Sequence, residues 1–135
     1  MKPSFVKIFL FWLAKYVAFY VFMMFKTGNY AFIKIHEIKN GEDLFYYLWI
    51  FLFLPVISFM IFSVPMYFSF RVKNLVYYVL IMVAILGTEY FLYTSLASQA
   101  DLMNGVYNGI ISVLFLLLFF FRQIRNLRKQ DVSVL

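Results

Sequence analysis

The apolar positions of this chain do not alternate with polar ones; they come in long unbroken runs separated by short polar punctuation. A helix crossing a hydrocarbon core of about 30 Å needs roughly 20 mostly apolar residues. Four stretches meet that length, at about residues 5–25, 44–70, 75–96 and 102–121. Membrane-barrel strands alternate apolar and polar residues over about ten positions, and these runs do not. The expected fold is therefore an all-α integral membrane protein, a single domain of four transmembrane helices with a short basic tail over residues 122–135. The second stretch spans roughly 40 Å if straight. It contains Pro55 and Pro65, so a kink or a tilt is expected there.

The first run, FVKIFLFWLAKYVAFYVFMMF, follows a lysine-bearing start as a signal peptide does. Lys15 interrupts it and no small-residue cleavage site follows, so it reads as a retained helix. Were residues 1–15 to lie along the surface instead, Tyr16–Phe25 would be too short to cross.

Composition agrees with the pattern. Of 135 residues, 65% are hydrophobic and 13% charged, where a soluble domain is about half apolar and a quarter charged. The mean hydropathy of +0.87 excludes disorder. There are no cysteines, which removes disulfides, thiolate nucleophiles and thiolate metal sites.

The net charge of +6 is distributed by side. Four spans place the N-terminus, the Arg71–Asn74 turn and the C-terminus together. That side collects Lys2, Lys7, Arg71, Lys73, Arg122, Arg125, Arg128 and Lys129. The other holds Lys26, Lys34 and Lys39, diluted by Glu37, Glu42, Asp43 and Asp101. Basic short loops stay inside, so both termini are expected in the cytoplasm, of a bacterial inner membrane by this composition. The charge then reflects topology and not a nucleic-acid partner. Tyr46, Tyr47, Trp49, Tyr77, Tyr78, Tyr90 and Tyr93 suit interfacial belts. In the outer connection, Ile33 and Ile35 alternate with Lys34 and His36, the pattern of an extended stretch on the membrane surface.

Lys15 and Glu89 are the candidates for intramembrane chemistry. Lys15 lies roughly 15 Å along its helix and Glu89 roughly 22 Å along the third, which runs in the same direction. A lysine stem bridges such a difference. Each charge costs about 2.5–3.5 kcal/mol near mid-bilayer, and pairing offsets part of that while specifying which helices meet. A structural pair, a Glu89 that snorkels beside Tyr90, contact with a partner subunit, and a proton or ion path are the alternatives. Gly105 and Gly109 form a GxxxG spacing continued by Ser112, which suits close helix packing in lipid. The same NGVYNG segment also reads as a turn; a helix start is favoured.

Arg122, Arg125, Arg128 and Lys129 follow the fourth span at helical spacing, as a topology anchor or a contact for anionic lipid. The lone His36 excludes paired haem ligation within one chain and an HExxH zinc site. With no GxSxG and no pair of intramembrane aspartates, no catalytic residue, metal or cofactor is expected.

Two functions remain. The first is an accessory or interaction subunit that binds, stabilises, regulates or blocks another integral membrane protein through helix contacts, the class that includes immunity and exclusion proteins. The second is a self-associating channel, pore or small transporter, with Lys15, Glu89, Asn104 and Asn108 along its path.

Overall fold

The computed structural model describes residues 4–28, 38–97 and 99–134, save the side chains of Ala97, Asp131 and Val134. Lys2, Lys34, His36 and Glu37, with the extended stretch expected at residues 33–36, lie outside the described residues. Those described form four helices: α1 (Phe5–Thr27), α2 (Gly41–Ser69), α3 (Leu75–Ala97) and α4 (Leu102–Val134). All four are long and apolar enough to cross a membrane.

Each helix opens on a short polar residue whose side chain accepts from the first turn, where backbone donors have no helical partner. Ser4 accepts from Lys7 N at 3.2 Å and Asn40 from Asp43 N at 2.9 Å. Asn74 accepts from Val76 N at 2.8 Å and Asp101 from Met103 N at 3.0 Å. The Asn40 cap, with Glu42 and Asp43 in the first turn, starts α2 at Gly41, three residues before its apolar run. At the other end of α1, Gly28 adopts φ 68° and its N–H closes on the Met24 carbonyl at 2.9 Å. That left-handed conformation suits glycine.

The helices form a closed ring in which α1 touches α2 and α4, and α3 touches α2 and α4. Neighbours run antiparallel, as the ring contacts between α1 and α2 make plain. Phe5 stacks on Tyr67, Phe9 meets Phe59, Trp12 stacks on Phe62 and Tyr20 meets Phe51, one partner number falling as the other rises. On the inward face of α1, Ile8, Phe11, Trp12, Lys15, Tyr16, Phe19 and Tyr20 recur at helical spacing and are buried. Phe62 and Met66 of α2, Tyr78 and Met82 of α3 and Leu116 and Phe120 of α4 close the core around them.

The outward faces carry large apolar side chains in bulk, among them Phe25, Met60, Leu96 and Leu118, each at least 70% exposed. Monomeric proteins in water rarely show such continuous apolar surface. With four spans of membrane length, it makes this a multi-pass membrane protein.

One feature departs from the sequence reading. The fourth helix does not stop at residue 121; it continues to Val134, because Ile124 and Leu127 recur at helical spacing and pack on the core while the basic residues face outward. Its one non-helical residue is Phe120 (φ −117°, ψ 16°), held between the rings of Phe11 at 5.7 Å and Phe70 at 4.7 Å. Helix α2 is helical throughout residues 41–69, Pro55 and Pro65 included.

At the end of the bundle opposite the two termini, Lys26 of α1 reaches Asp101 at 3.5 Å and donates to Asn104 Oδ1 at 3.1 Å. Both ions are substantially exposed, so screening keeps the pair weak. Asp101→Asn retains a capping side chain and removes only the charge. It is expected to change unfolding free energy in detergent by less than about 1 kcal/mol; a larger loss would mean that the pair is better shielded than its exposure implies.

Candidate functional site

The centre of the bundle holds a polar cluster to which every helix contributes. From α1 come Lys15 and Tyr16, from α2 Ser58, from α3 Glu89, and from α4 Asn108 and Ser112. All six are buried. The alternation of chain direction places them at one level: Lys15 and Glu89 lie about 15–21 Å from the end that α1 and α3 share.

Glu89 is the hub. Its Oε1 receives Lys15 Nζ in an ion pair across the diagonal of the ring. The same oxygen accepts from Tyr16 Oη at 2.7 Å and from Asn108 Nδ2 at 2.8 Å. Its Oε2 accepts from Ser112 Oγ at 3.1 Å. Lys15 Nζ also lies 4.1 Å from the Tyr16 ring centroid and 5.0 Å from that of Trp12, so cation–π attraction supplements its single carboxylate contact. Tyr16 Oη and Ser58 Oγ are 3.0 Å apart.

In lipid, where hydrocarbon offers no hydrogen bonds, such a cluster joins helices at a defined depth and rotation. Its charges are matched. Among the described residues there is no group of three or more His, Cys, Asp or Glu able to hold a metal.

The structure thus brings Lys15, Glu89 and Ser112 together with Asn108, which sequence reasoning had linked only to a channel path. Tyr16 and Ser58 were missed. The available signal is slight: Tyr16 adjoins Lys15, and Ser58 is a hydroxyl within an apolar run. The two glycines separate. A Cβ at Gly105 would overlap Thr94 Oγ1 and come within 3.0 Å of Tyr90 Cε2, whereas one at Gly109 meets nothing within 4 Å. Close approach of α3 and α4 rests on Gly105.

At the opposite end from Lys26, Arg125, Arg128 and Lys129 line a shallow groove of about 330 Å³ with Val132; Arg122 is exposed nearby. Arg125 lies over the Phe121 ring at 5.8 Å. Arg71 stacks on Tyr67 and donates to its hydroxyl at 3.1 Å.

Comparison of the chain with protein-family models, curated proteins and solved structures gives no match. The class defined by fold and site is a four-helix, multi-pass membrane protein with a buried polar centre.

Proposed function

We propose that this protein is an accessory or interaction subunit that binds, stabilises, regulates or blocks another integral membrane protein through helix contacts within the bilayer, in the manner of immunity and exclusion proteins. The observation that carries the reading is the outer face of α2. Phe45, Leu48, Trp49, Phe53, Ile57 and Met60 line a groove of about 500 Å³ along that helix, and no helix of the described residues covers it. The polar side chains at the centre are turned inward and bonded to one another. A face built from large rigid rings suits a partner helix, since van der Waals packing drives association in lipid. Pro55 lies within this stretch, and a bend of α2 at Pro55 and Pro65 shapes the groove.

The Lys and Arg distribution supports cytoplasmic N- and C-termini in a bacterial inner membrane, with Arg122, Arg125, Arg128 and Lys129 at the headgroups. Because the chain lacks cysteine, single cysteines report topology without background. Cysteine at Ser4 or Ser133 is expected to resist an impermeant maleimide in intact cells, and cysteine at Asp101 to react. Labelling of all three, or the reverse pattern, overturns this topology.

The function is tested by native mass after gentle solubilisation, with co-purifying chains identified. A defined complex with a second membrane protein is expected, lost in Trp49→Ala/Phe53→Ala while the bundle's own stability is unchanged. A homo-oligomer with no other chain at stoichiometric level favours the channel reading instead. That reading draws no support from Lys15 and Glu89, which pair inside one protomer.

A further inference from the structure

A cleft of about 270 Å³ runs between α2 and α3 from the outer surface of the bundle to its polar centre. Phe53, Ile57, Ile61, Leu92, Tyr93 and Leu96 form its walls, and Tyr16, Ser58 and Glu89 its floor. Ile61 and Leu96 at the mouth are exposed on the face presented to lipid, whereas the three floor residues are buried. A molecule dissolved in the hydrocarbon layer can therefore reach Glu89 from the side without passing through water.

The chemistry of the floor follows from counting protons. A phenol has one, and that of Tyr16 is donated to Glu89 Oε1 at 2.7 Å. The 3.0 Å contact between Tyr16 and Ser58 must then be donated by Ser58, which uses the only proton of that hydroxyl. Glu89, as the carboxylate partner of Lys15, has none to give. Ser58 and Glu89 are left as acceptors: Ser58 Oγ has free lone pairs, and among the described residues Glu89 Oε2 accepts only from Ser112 at 3.1 Å. A ligand bonding to these two side chains must donate. It should also be neutral, because the carboxylate is already matched by Lys15 and a second cation would face that ammonium.

We infer that the α2–α3 cleft binds a neutral, membrane-soluble alcohol or phenol, its ring between the α2 and α3 walls and its hydroxyl donating to the Glu89 carboxylate or Ser58 Oγ. The volume lies just below the range of about 300–1,000 Å³ of small-molecule pockets, enough for one ring with its tail left in the bilayer. The cost of carrying an unpaired hydroxyl into hydrocarbon makes acceptors at this depth selective. Phe53 and Ile57 border both this cleft and the α2 groove, but the inference concerns a ligand rather than a protein and is tested on the chain alone, with no partner present.

The test uses the full chain in phosphatidylcholine vesicles with a photoreactive alkylphenol and its O-methyl ether, which has the same shape and no donor. The phenol is expected to label Ile57, Ile61, Leu92 or Leu96, saturably and in competition with its non-photoreactive counterpart. The ether should bind roughly tenfold more weakly, the value of a hydrogen bond to a charged acceptor. Ile57→Trp fills the mouth from an exposed position without touching the floor and should abolish saturable labelling. Ser58→Ala should weaken it several-fold. Equal labelling by the ether, labelling that survives Ile57→Trp, or labelling spread unsaturably over all outward faces overturns the inference.

Discussion

Glu89→Ala is expected to be the most damaging single substitution in the molecule, costing about 3–5 kcal/mol of bundle stability, the range for breaking a buried ion pair. The substitution strands more than one group. Lys15 loses its counter-ion and is left against only the rings of Trp12 and Tyr16, and Tyr16, Asn108 and Ser112 lose their acceptor together. Lys15→Met should be milder, because the Glu89 carboxylate retains those three donors. The double variant Lys15→Met/Glu89→Gln removes both charges and keeps an acceptor at position 89. It should recover much of the loss and, with the Glu89→Gln single completing the cycle, show a coupling of about 2–3 kcal/mol, at the upper end for residues in contact. Reversible unfolding in mixed micelles, followed by helical circular dichroism, gives all four values. Singles as stable as the parent, or a double variant whose loss equals the sum of Lys15→Met and Glu89→Gln, would show that the pair does not hold the helices together.

The unequal roles of these residues explain why some of the molecule was legible in its sequence and some was not. Continuous apolar runs fix where helices lie, since hydrocarbon leaves the backbone no other way to satisfy its hydrogen bonds; the observed spans begin and end within a few residues of those expected, α4 excepted. Matching Lys15 to Glu89 needed only the rise per residue and the direction of each helix. Tyr16 and Ser58 were harder. A tyrosine beside a core lysine has the composition of any aromatic position in so aromatic a chain, and a single serine fits an apolar helix without consequence unless a neighbour reaches it. The course of α4 beyond residue 121 depends on Ile124 and Leu127 finding core to cover, and the interruption at Phe120 on rings from α1 and α2 that close around it. No glycine or proline marks that residue, so the signal is tertiary. The paired glycines show the limit of a motif: GxxxG states that two small residues share a face, and only the neighbouring helix decides which one it uses.

That decision sets the second large effect. Gly105→Ala is expected to destabilise the bundle by about 1–3 kcal/mol, the range for overpacking a filled core, whereas Gly109→Ala should be neutral or stabilising. In α4 both positions are helical and neither has positive φ, so backbone preference alone would favour alanine at each by up to about 1 kcal/mol. What separates them is space. At Gly105 the new methyl meets Thr94 Oγ1 and the edge of the Tyr90 ring, and at Gly109 it meets nothing within 4 Å. Thr94 offers the means of rescue, because its hydroxyl is buried without a hydrogen-bond partner among the described residues and is the atom in the way. Thr94→Ala should therefore cost little by itself, and Thr94→Ala/Gly105→Ala should regain most of the stability that Gly105→Ala loses. The same unfolding measurement checks each step. Equal effects at the two glycines would mean that α3 and α4 approach differently, and failure of the Thr94 rescue would move the obstruction to Tyr90. The consequence reaches the polar centre: Gly105 lies one helical turn before Asn108, so parting α3 from α4 there draws Asn108 Nδ2 away from Glu89 and weakens the cluster from its α4 side.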